Sequence, residues 1–267
     1  MYSVGNLYFA QEDYKTAVEY YQEAIEEDSR PVYYRDLIIS AVKAGETGFA
    51  QRMLEAAKRE GLQDEELMLT EQEISYAKEE MEKVTEIAEM LVQSKNSEIA
   101  GYSSLLGAKA YGVLGDYEKQ AKYLETAYEL GRDKRCLREL GGAYLEAANT
   151  QGVIAKKEYL TKAERCYEKL QQSYAVSYRD QMNLAVIQEN LGKYAQAESL
   201  LKELAEQYPE EYEVYMHLAY MNLKMEKEAK AADYFKKASQ YYEKAGSPGD
   251  SAMTELQDYM EQMGETP

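Results

Sequence analysis

The sequence predicts an all-α solenoid of about seven helical hairpins, followed by one further helix. The main observation is a pattern of small and large residues that returns with a period near 34 residues. Two helical patterns in each period are typical of a helix-turn-helix solenoid, in which every hairpin packs against its neighbours. The composition agrees, because only 4 of the 267 residues are proline and good helix formers such as Ala, Leu, Glu and Lys are abundant. We therefore expect one continuous domain over residues 1–267.

One position of the pattern can be followed through seven units. It recurs at gaps of 33, 34, 36, 43, 34 and 34 residues and is small in most units. The residues at this position are Ala17, Ala50, Val84, Gln120, Ala163, Ala197 and Ala231. The pattern divides the chain into units at about 1–30, 31–64, 65–98, 101–134, 135–177, 178–211 and 212–246.

The residues of the first unit resemble a known repeat family. The unit reads Gly5-Asn6-Leu7-Tyr8, Asp13-Tyr14, Ala17, Tyr21 and Ala24, and it is similar to the tetratricopeptide repeat. The resemblance covers about residues 1–245. It implies a right-handed α-superhelix in which small residues at the eighth and twentieth positions of each repeat let the two helices approach closely. It also implies a protein- or peptide-binding role.

Two units depart from the pattern. The third, residues 65–98, has Gln72 where the first helix should carry a small residue, so we expect a degenerate repeat whose helices pack less tightly. In the fifth, Gly141 and Ala163 are 22 positions apart, where the corresponding residues of other units are 12 apart. The insertion lies near residues 149–158 and is expected to lengthen that hairpin. It is interpreted either as a binding element or as neutral loop growth.

The two ends of the chain give further expectations. A break at Ser247-Pro248-Gly249-Asp250 precedes a stripe of apolar residues, which predicts a capping helix over residues 250–263. The stripe consists of Met253, Leu256, Met260 and Met263. At the other end, Met1 already occupies the fourth position of the first repeat. We therefore expect the chain to be a fragment of a larger protein.

Composition argues against several classes of function. The net charge of −18 disfavours nucleic-acid binding and attachment to anionic membranes, and no apolar run is long enough to insert into a bilayer. Phosphate-binding loops, dinucleotide fingerprints, H-E-x-x-H and C-x-x-C are absent, so no enzyme activity, metal or cofactor is expected. The single histidine, His217, is interpreted as a rim residue. Cys136 and Cys166 are interpreted as buried thiols.

The resemblance also implies which side chains form the binding surface. In the family, positions 2, 5, 9 and 12 of each first helix point into a concave groove. Carrying these positions over gives a mixed wall that includes Ile39, Leu69 and Glu73. The groove residues predicted in this way are Asn6, Phe9, Arg35, Tyr76, Tyr102, Lys109, Arg135, Arg138, Arg179, Met182 and Tyr220.

Charge is unevenly distributed along the chain. Residues 60–89 carry a net charge of −9, whereas residues 131–179 carry +4. Arginine binds carboxylates in bidentate geometry. The hypothesis is that the basic groove residues bind an acidic peptide or a free C-terminal carboxylate, and the alternative is that they pair with neighbouring Glu and Asp. The basic residues concerned are Lys109, Arg135, Arg138 and Arg179.

The predicted function is a non-catalytic scaffold that binds a protein or peptide through the concave groove. The first alternative is a peptide-sensing module attached to a kinase or a DNA-binding head outside this chain. The second is a hydrolase or transferase built around His217, and the third is weak self-association through the N-terminal face or the Met-rich tail. The sequence does not fix the compartment. A cytoplasmic location is favoured, and an extracytoplasmic part of a membrane protein is the alternative.

Overall fold

The computed structural model describes residues 1–62, 64–131, 134–150, 152–173, 176–246 and 248–262. All regular structure in these residues is helical, which confirms the predicted all-α class. The predicted insertion includes Gln151, the predicted break includes Ser247 and the predicted stripe includes Met263; these three residues lie outside the described parts. None of the described helices is both long and apolar enough to span a membrane.

The described helices form two compact units, Met1–Ala143 and Tyr144–Pro267. The expectation of one continuous domain and the repeat boundaries stay predictions. The first unit contains eight complete described helices and the start of α9: α1 (Tyr2–Ala10), α2 (Tyr14–Glu27), α3 (Pro31–Lys43), α4 (Thr47–Arg59), α5 (Glu65–Ala77), α6 (Met81–Leu91), α7 (Ser97–Val113), α8 (Tyr117–Gly131) and α9 (Lys134–Thr150). The second unit continues from α9 with α10 (Val153–Ser173), α11 (Tyr178–Asn190), α12 (Tyr194–Gln207), α13 (Tyr212–Lys224), α14 (Glu228–Lys244) and α15 (Ser251–Gln262).

Local sequence signals explain where several helices begin. Asp64 accepts a hydrogen bond from the Leu67 amide at 2.8 Å and so caps α5. Helix α11 begins with a capping box, in which Ser177 and Asp180 each bond to the other's backbone amide. Helix α3 begins at Pro31, where a missing amide proton costs nothing. These signals fix the residue at which each of the three helices begins.

In the first unit the small residues of the pattern let paired helices approach closely. Ala17, Ala50 and Val84 are completely buried. Gly5 of α1 lies so close to Tyr21 of α2 that a β-carbon on it would be 2.7 Å from the ring. In the fourth repeat, the position that is small in most repeats holds Gln120 of α8. This side chain faces Gly112 of α7, where a β-carbon would be 2.6 Å from the Gln120 amide nitrogen. A large residue on one helix is therefore accommodated by glycine on the other.

The third hairpin keeps both of its helices, α5 and α6. The side chain of Gln72 is completely buried, and its amide nitrogen donates to the carbonyl of Val84 at 3.1 Å and of Ser103 at 3.2 Å. This amide therefore links α5 to α6 and to α7. The unusual residue that marks the repeat as degenerate is thus part of a buried polar contact, and looser packing of the hairpin stays a prediction.

An apolar core cluster of the second unit includes the last described helix. Met253, Leu256 and Met260 of α15 are buried in the same cluster as Phe235 of α14 and Leu218 of α13. The 250–263 stripe therefore contacts the last hairpin through its three described members.

In the insertion, residues 153–158 form the start of α10, and Ile154 there is 91% exposed. Helix α10 has 21 residues, whereas α12 has 14.

Candidate functional site

A groove runs along the first helices of the first unit. It consists of three clefts of about 300, 400 and 250 Å³, which we call the first, central and third clefts. The first and central clefts share Phe9, Arg35, Asp36 and Ile39, and the central and third clefts share Glu98 and Tyr102. Because neighbouring clefts share lining residues, they lie next to one another from α1 to the start of α9.

A network of charged side chains crosses the first two clefts. Arg35 Nε lies 2.8 Å from Asp36 Oδ1, and Arg35 Nη1 lies 2.8 Å from Glu66 Oε2. The Tyr2 hydroxyl donates to Asp36 Oδ2 at 2.5 Å. Burial and this hydrogen bond to a carboxylate raise the pKa of Tyr2 to about 12, so it stays a neutral donor. The network ties α1, α3 and α5 together on the groove surface.

Glu73 lies deeper in the central cleft, beside Tyr102. Burial raises the pKa of the Glu73 carboxyl, although the Tyr102 hydroxyl and the charges of Lys43 and Arg35 act in the opposite direction. Burial and the Glu73 charge in turn raise the pKa of Tyr102. Among the described residues, no ion pair within 4 Å involves Glu73. The central cleft therefore contains a desolvated carboxylate without a direct cationic contact.

The predicted groove residues of the first unit occupy several environments. Phe9, Arg35 and Tyr102 line the central cleft, and Asn6 and Phe9 line the first. Asn6 accepts a hydrogen bond from the buried Tyr21 at 2.7 Å. Tyr76 packs partly buried against the cluster of Val84, Leu106 and Ala110.

The predicted cationic residues of the first unit lie farther along the chain. Lys109 of α7 and Arg135 and Arg138 of α9 are exposed. Both arginines also interact with other residues of the chain, so a ligand carboxylate would join existing interactions. Their role in binding stays a prediction.

The predicted groove residues of the second unit differ most from expectation. Met182 is only 3% exposed and belongs to the apolar core, so it cannot line an open groove. Tyr220 is partly buried, and its hydroxyl donates to the Ala252 carbonyl of α15 at 3.0 Å. Arg179 has a side chain that is 70% exposed and lies 3.8 Å from Glu213. Of these three residues, Arg179 is the most accessible.

Several lining residues were not identified as site residues by the sequence. Glu66 occupies the second position of the third sequence repeat, residues 65–98. The positional rule that selected the predicted groove residues would therefore have selected Glu66 as well. Asp36 does not occupy one of the four groove positions, and only the fold brings it beside Tyr2, 34 positions earlier. Glu98 lies in the first turn of α7, where the repeat pattern gives no signal.

The ring of His217 lies 2.9 Å from Glu189, and both side chains are partly buried. No group of three or more His, Cys, Asp or Glu in the described ranges is arranged to hold a metal ion. Cys136 and Cys166 are buried.

Two models of one repeat family match the sequence. Both are described as tetratricopeptide repeat, and they match residues 1–31 and 182–249. Both matched segments of the chain are therefore tetratricopeptide repeats. Folds of this kind are generally non-enzymatic scaffolds, and the repeats suggest a role in protein interaction. A comparison with curated proteins found no match.

Solved structures with the same fold include bacterial repeat proteins. The C-terminal part of a TPR repeat-containing protein from Cytophaga hutchinsonii is 14% identical, with a TM-score of 0.65, over 96% of this chain and 99% of that one. PilF of Pseudomonas aeruginosa is 14% identical, with a TM-score of 0.58, over 80% and 92%. MamA MSR-1 is 22% identical, with a TM-score of 0.50, over 82% and 99%. At these identities the similarity concerns the fold alone.

Proposed function

We propose that this repeat protein is a non-catalytic scaffold that binds an extended peptide segment of a protein partner in the groove of its first unit. The observation that carries the proposal is the row of three adjacent clefts, in which neighbours share lining residues from α1 to the start of α9. Phe9, Ile39 and Leu69 are partly exposed there, while the small residues between the helices are buried. Apolar and aromatic side chains of this kind supply contact area for a peptide.

We also propose that the far end of the groove contacts carboxylates of the partner, from acidic side chains or from a free C-terminus. Lys109, Arg135 and Arg138 are exposed cationic residues in a strongly acidic chain. Charged contacts of this type select the partner and its orientation more than they add affinity. The exposed Arg179 of the second unit is a candidate for the same role.

The scaffold proposal is tested by selecting random 12-residue peptides displayed on phage against the immobilised full chain. Enriched peptides are then synthesised and their dissociation constants are measured with the wild type and with the Tyr102→Ala variant. We expect Tyr102→Ala to weaken binding at least about fivefold, because a tyrosine at the centre of an interface typically contributes more than 1 kcal/mol.

Tyr259→Ala is the matched control, because Tyr259 of α15 is also a half-exposed tyrosine. It should leave the dissociation constants unchanged. A selection that enriches no peptide, or an equal loss of affinity in both variants, would contradict binding in the groove.

The carboxylate-binding end has a separate test. Arg135→Glu and Arg138→Glu should each weaken peptides that carry an acidic residue or a free C-terminus by more than about tenfold, the equivalent of one charged contact of about 1.5 kcal/mol. Arg59→Glu changes an exposed arginine of α4 and should have little effect. Equal affinities for wild type and both reversals would reject this part of the proposal.

A further inference from the structure

The central cleft is negatively charged although it contains an arginine. Its walls carry the carboxylates of Asp36, Glu66, Glu73 and Glu98 and the single guanidinium of Arg35. Arg35 is already bonded to Asp36 and to Glu66. Its charge is therefore committed within the protein, and the cleft has an excess of negative charge that a bound cation would balance.

Glu73 is the partly buried carboxylate of this cleft that has no cationic contact among the described residues, whereas Glu98 is exposed to solvent. Asp36 receives hydrogen bonds from Tyr2 and Arg35, and Glu66 receives one from Arg35. Glu73 has the Tyr102 hydroxyl beside it and no cation within 4 Å among the described residues. A partly desolvated carboxylate without a cationic contact is costly, and a ligand cation placed against it removes that cost.

The other walls of the cleft match the rest of a basic side chain. Ile39 and Leu69 offer aliphatic surface on which the methylene stem of lysine or arginine can pack. Phe9 and Tyr102 are aromatic residues of the same cleft, and a cation is attracted to the faces of such rings. Apolar walls, aromatic rings and an unpaired carboxylate are therefore brought together in one cleft of about 400 Å³.

We propose that the central cleft binds a lysine or arginine side chain of the peptide partner, with Glu73 as the residue that contacts its charge. This inference rests on the proposed scaffold function and names the chemistry of one part of its ligand. Together with the carboxylate contacts proposed for Arg135 and Arg138 near the start of α9, it would place opposite charges at two points along the bound peptide, which would orient the peptide in one direction.

The test uses the peptides selected on the full chain. Aligned sequences should carry Lys or Arg at one fixed position. Replacing this residue by its neutral counterpart, acetyl-lysine or citrulline, should weaken binding to the wild type at least tenfold. With the Glu73→Gln variant the same replacement should change the affinity less than twofold, because the charge it contacts is gone.

Glu86→Gln is the matched control, since Glu86 is an exposed glutamate on α6, the other helix of the same hairpin. It should behave as the wild type, which separates a specific contact from attraction to an acidic protein. Circular dichroism verifies that Glu73→Gln is folded. If it is not, Glu73→Asp replaces it, and that variant should retain the basic preference with reduced affinity.

The outcomes separate this inference from the function on which it rests. If no peptide is enriched, the scaffold proposal fails and the inference fails with it. If peptides are enriched without a fixed basic position, the scaffold proposal stands and the inference is overturned. The inference is also overturned if neutralising the basic residue weakens binding to Glu73→Gln as much as binding to the wild type, because a group other than Glu73 would then contact the charge.

Discussion

Arg35 of α3 and Glu66 of α5 form an ion pair across the central cleft, with 2.8 Å between Nη1 and Oε2. The same guanidinium also contacts Asp36, so one side chain holds two carboxylates from neighbouring hairpins. The contact joins residues 31 positions apart. It ties α3 and α5, the first helices of two neighbouring hairpins, together at the surface where a ligand is proposed to bind.

Replacing Arg35 should therefore lower the stability of the fold and leave the groove more negatively charged. We expect Arg35→Gln to lower the free energy of unfolding by about 1 kcal/mol, because it removes a partly buried contact and leaves two carboxylates close together. Urea unfolding at low salt measures this. Arg30→Gln removes an exposed ion pair with Asp28 and should cost almost nothing. An equal effect of the two changes would contradict the structural role of Arg35.

Glu73 should make stability depend on pH in a particular direction. Since burial raises its pKa, the folded state binds this proton more tightly than the unfolded chain does. The resulting destabilisation is absent below the unfolded pKa of about 4.3 and fully present above the folded pKa. Glu73→Gln should thus match the wild type near pH 4 and be more stable at pH 7.

Urea unfolding of both proteins at the two pH values measures this difference. Glu86→Gln should show no such change with pH, because Glu86 is exposed. If Glu73→Gln were less stable than the wild type at pH 7, the surroundings would have to stabilise the ionised carboxylate, and burial would not be a net cost to it.

Gly5 should be required for the close approach of α1 and α2. A β-carbon there would be 2.7 Å from the ring of Tyr21, which is almost completely buried and has little room to move. We expect Gly5→Ala to destabilise the protein by about 1–3 kcal/mol. Gly48 of α4 has open space around it, so Gly48→Ala should be neutral or stabilising by up to about 1 kcal/mol. Thermal unfolding distinguishes the two, and the same sign for both would refute the packing argument.

The second unit contains a buried carboxylate that depends on one lysine. Glu164 has a side chain that is only 4% exposed, and both of its oxygens accept from Lys193 Nζ, at 2.6 and 2.8 Å. Lys193→Met should destabilise by about 2 kcal/mol, because it leaves a buried charge without its partner. Adding Glu164→Gln should recover part of this loss. Urea unfolding of the two single variants and the double variant measures the coupling, and simple additivity would contradict it.

Much of the architecture was readable from the sequence, since hairpin packing is local and periodic. The spacing that predicted small residues at Ala17, Ala50 and Val84 identified positions where the structure has completely buried side chains. The groove positions Phe9, Arg35 and Glu73 were implied by the resemblance to the repeat family, and all three line the central cleft. Such positions are predictable because each helix turn repeats the same orientation relative to its partner.

The tertiary structure alone decided which groove positions stay open and how their charges pair. Met182 satisfies the positional rule, yet it is buried in the core of the second unit. Tyr220 also satisfies the rule, but its hydroxyl donates a hydrogen bond to the Ala252 carbonyl of α15. The bond from Tyr2 to Asp36 joins residues 34 positions apart. Periodicity specifies the direction of a side chain from its own helix. Its solvation and its charge partner depend on neighbouring helices, whose distance and rotation are set by packing across hairpins.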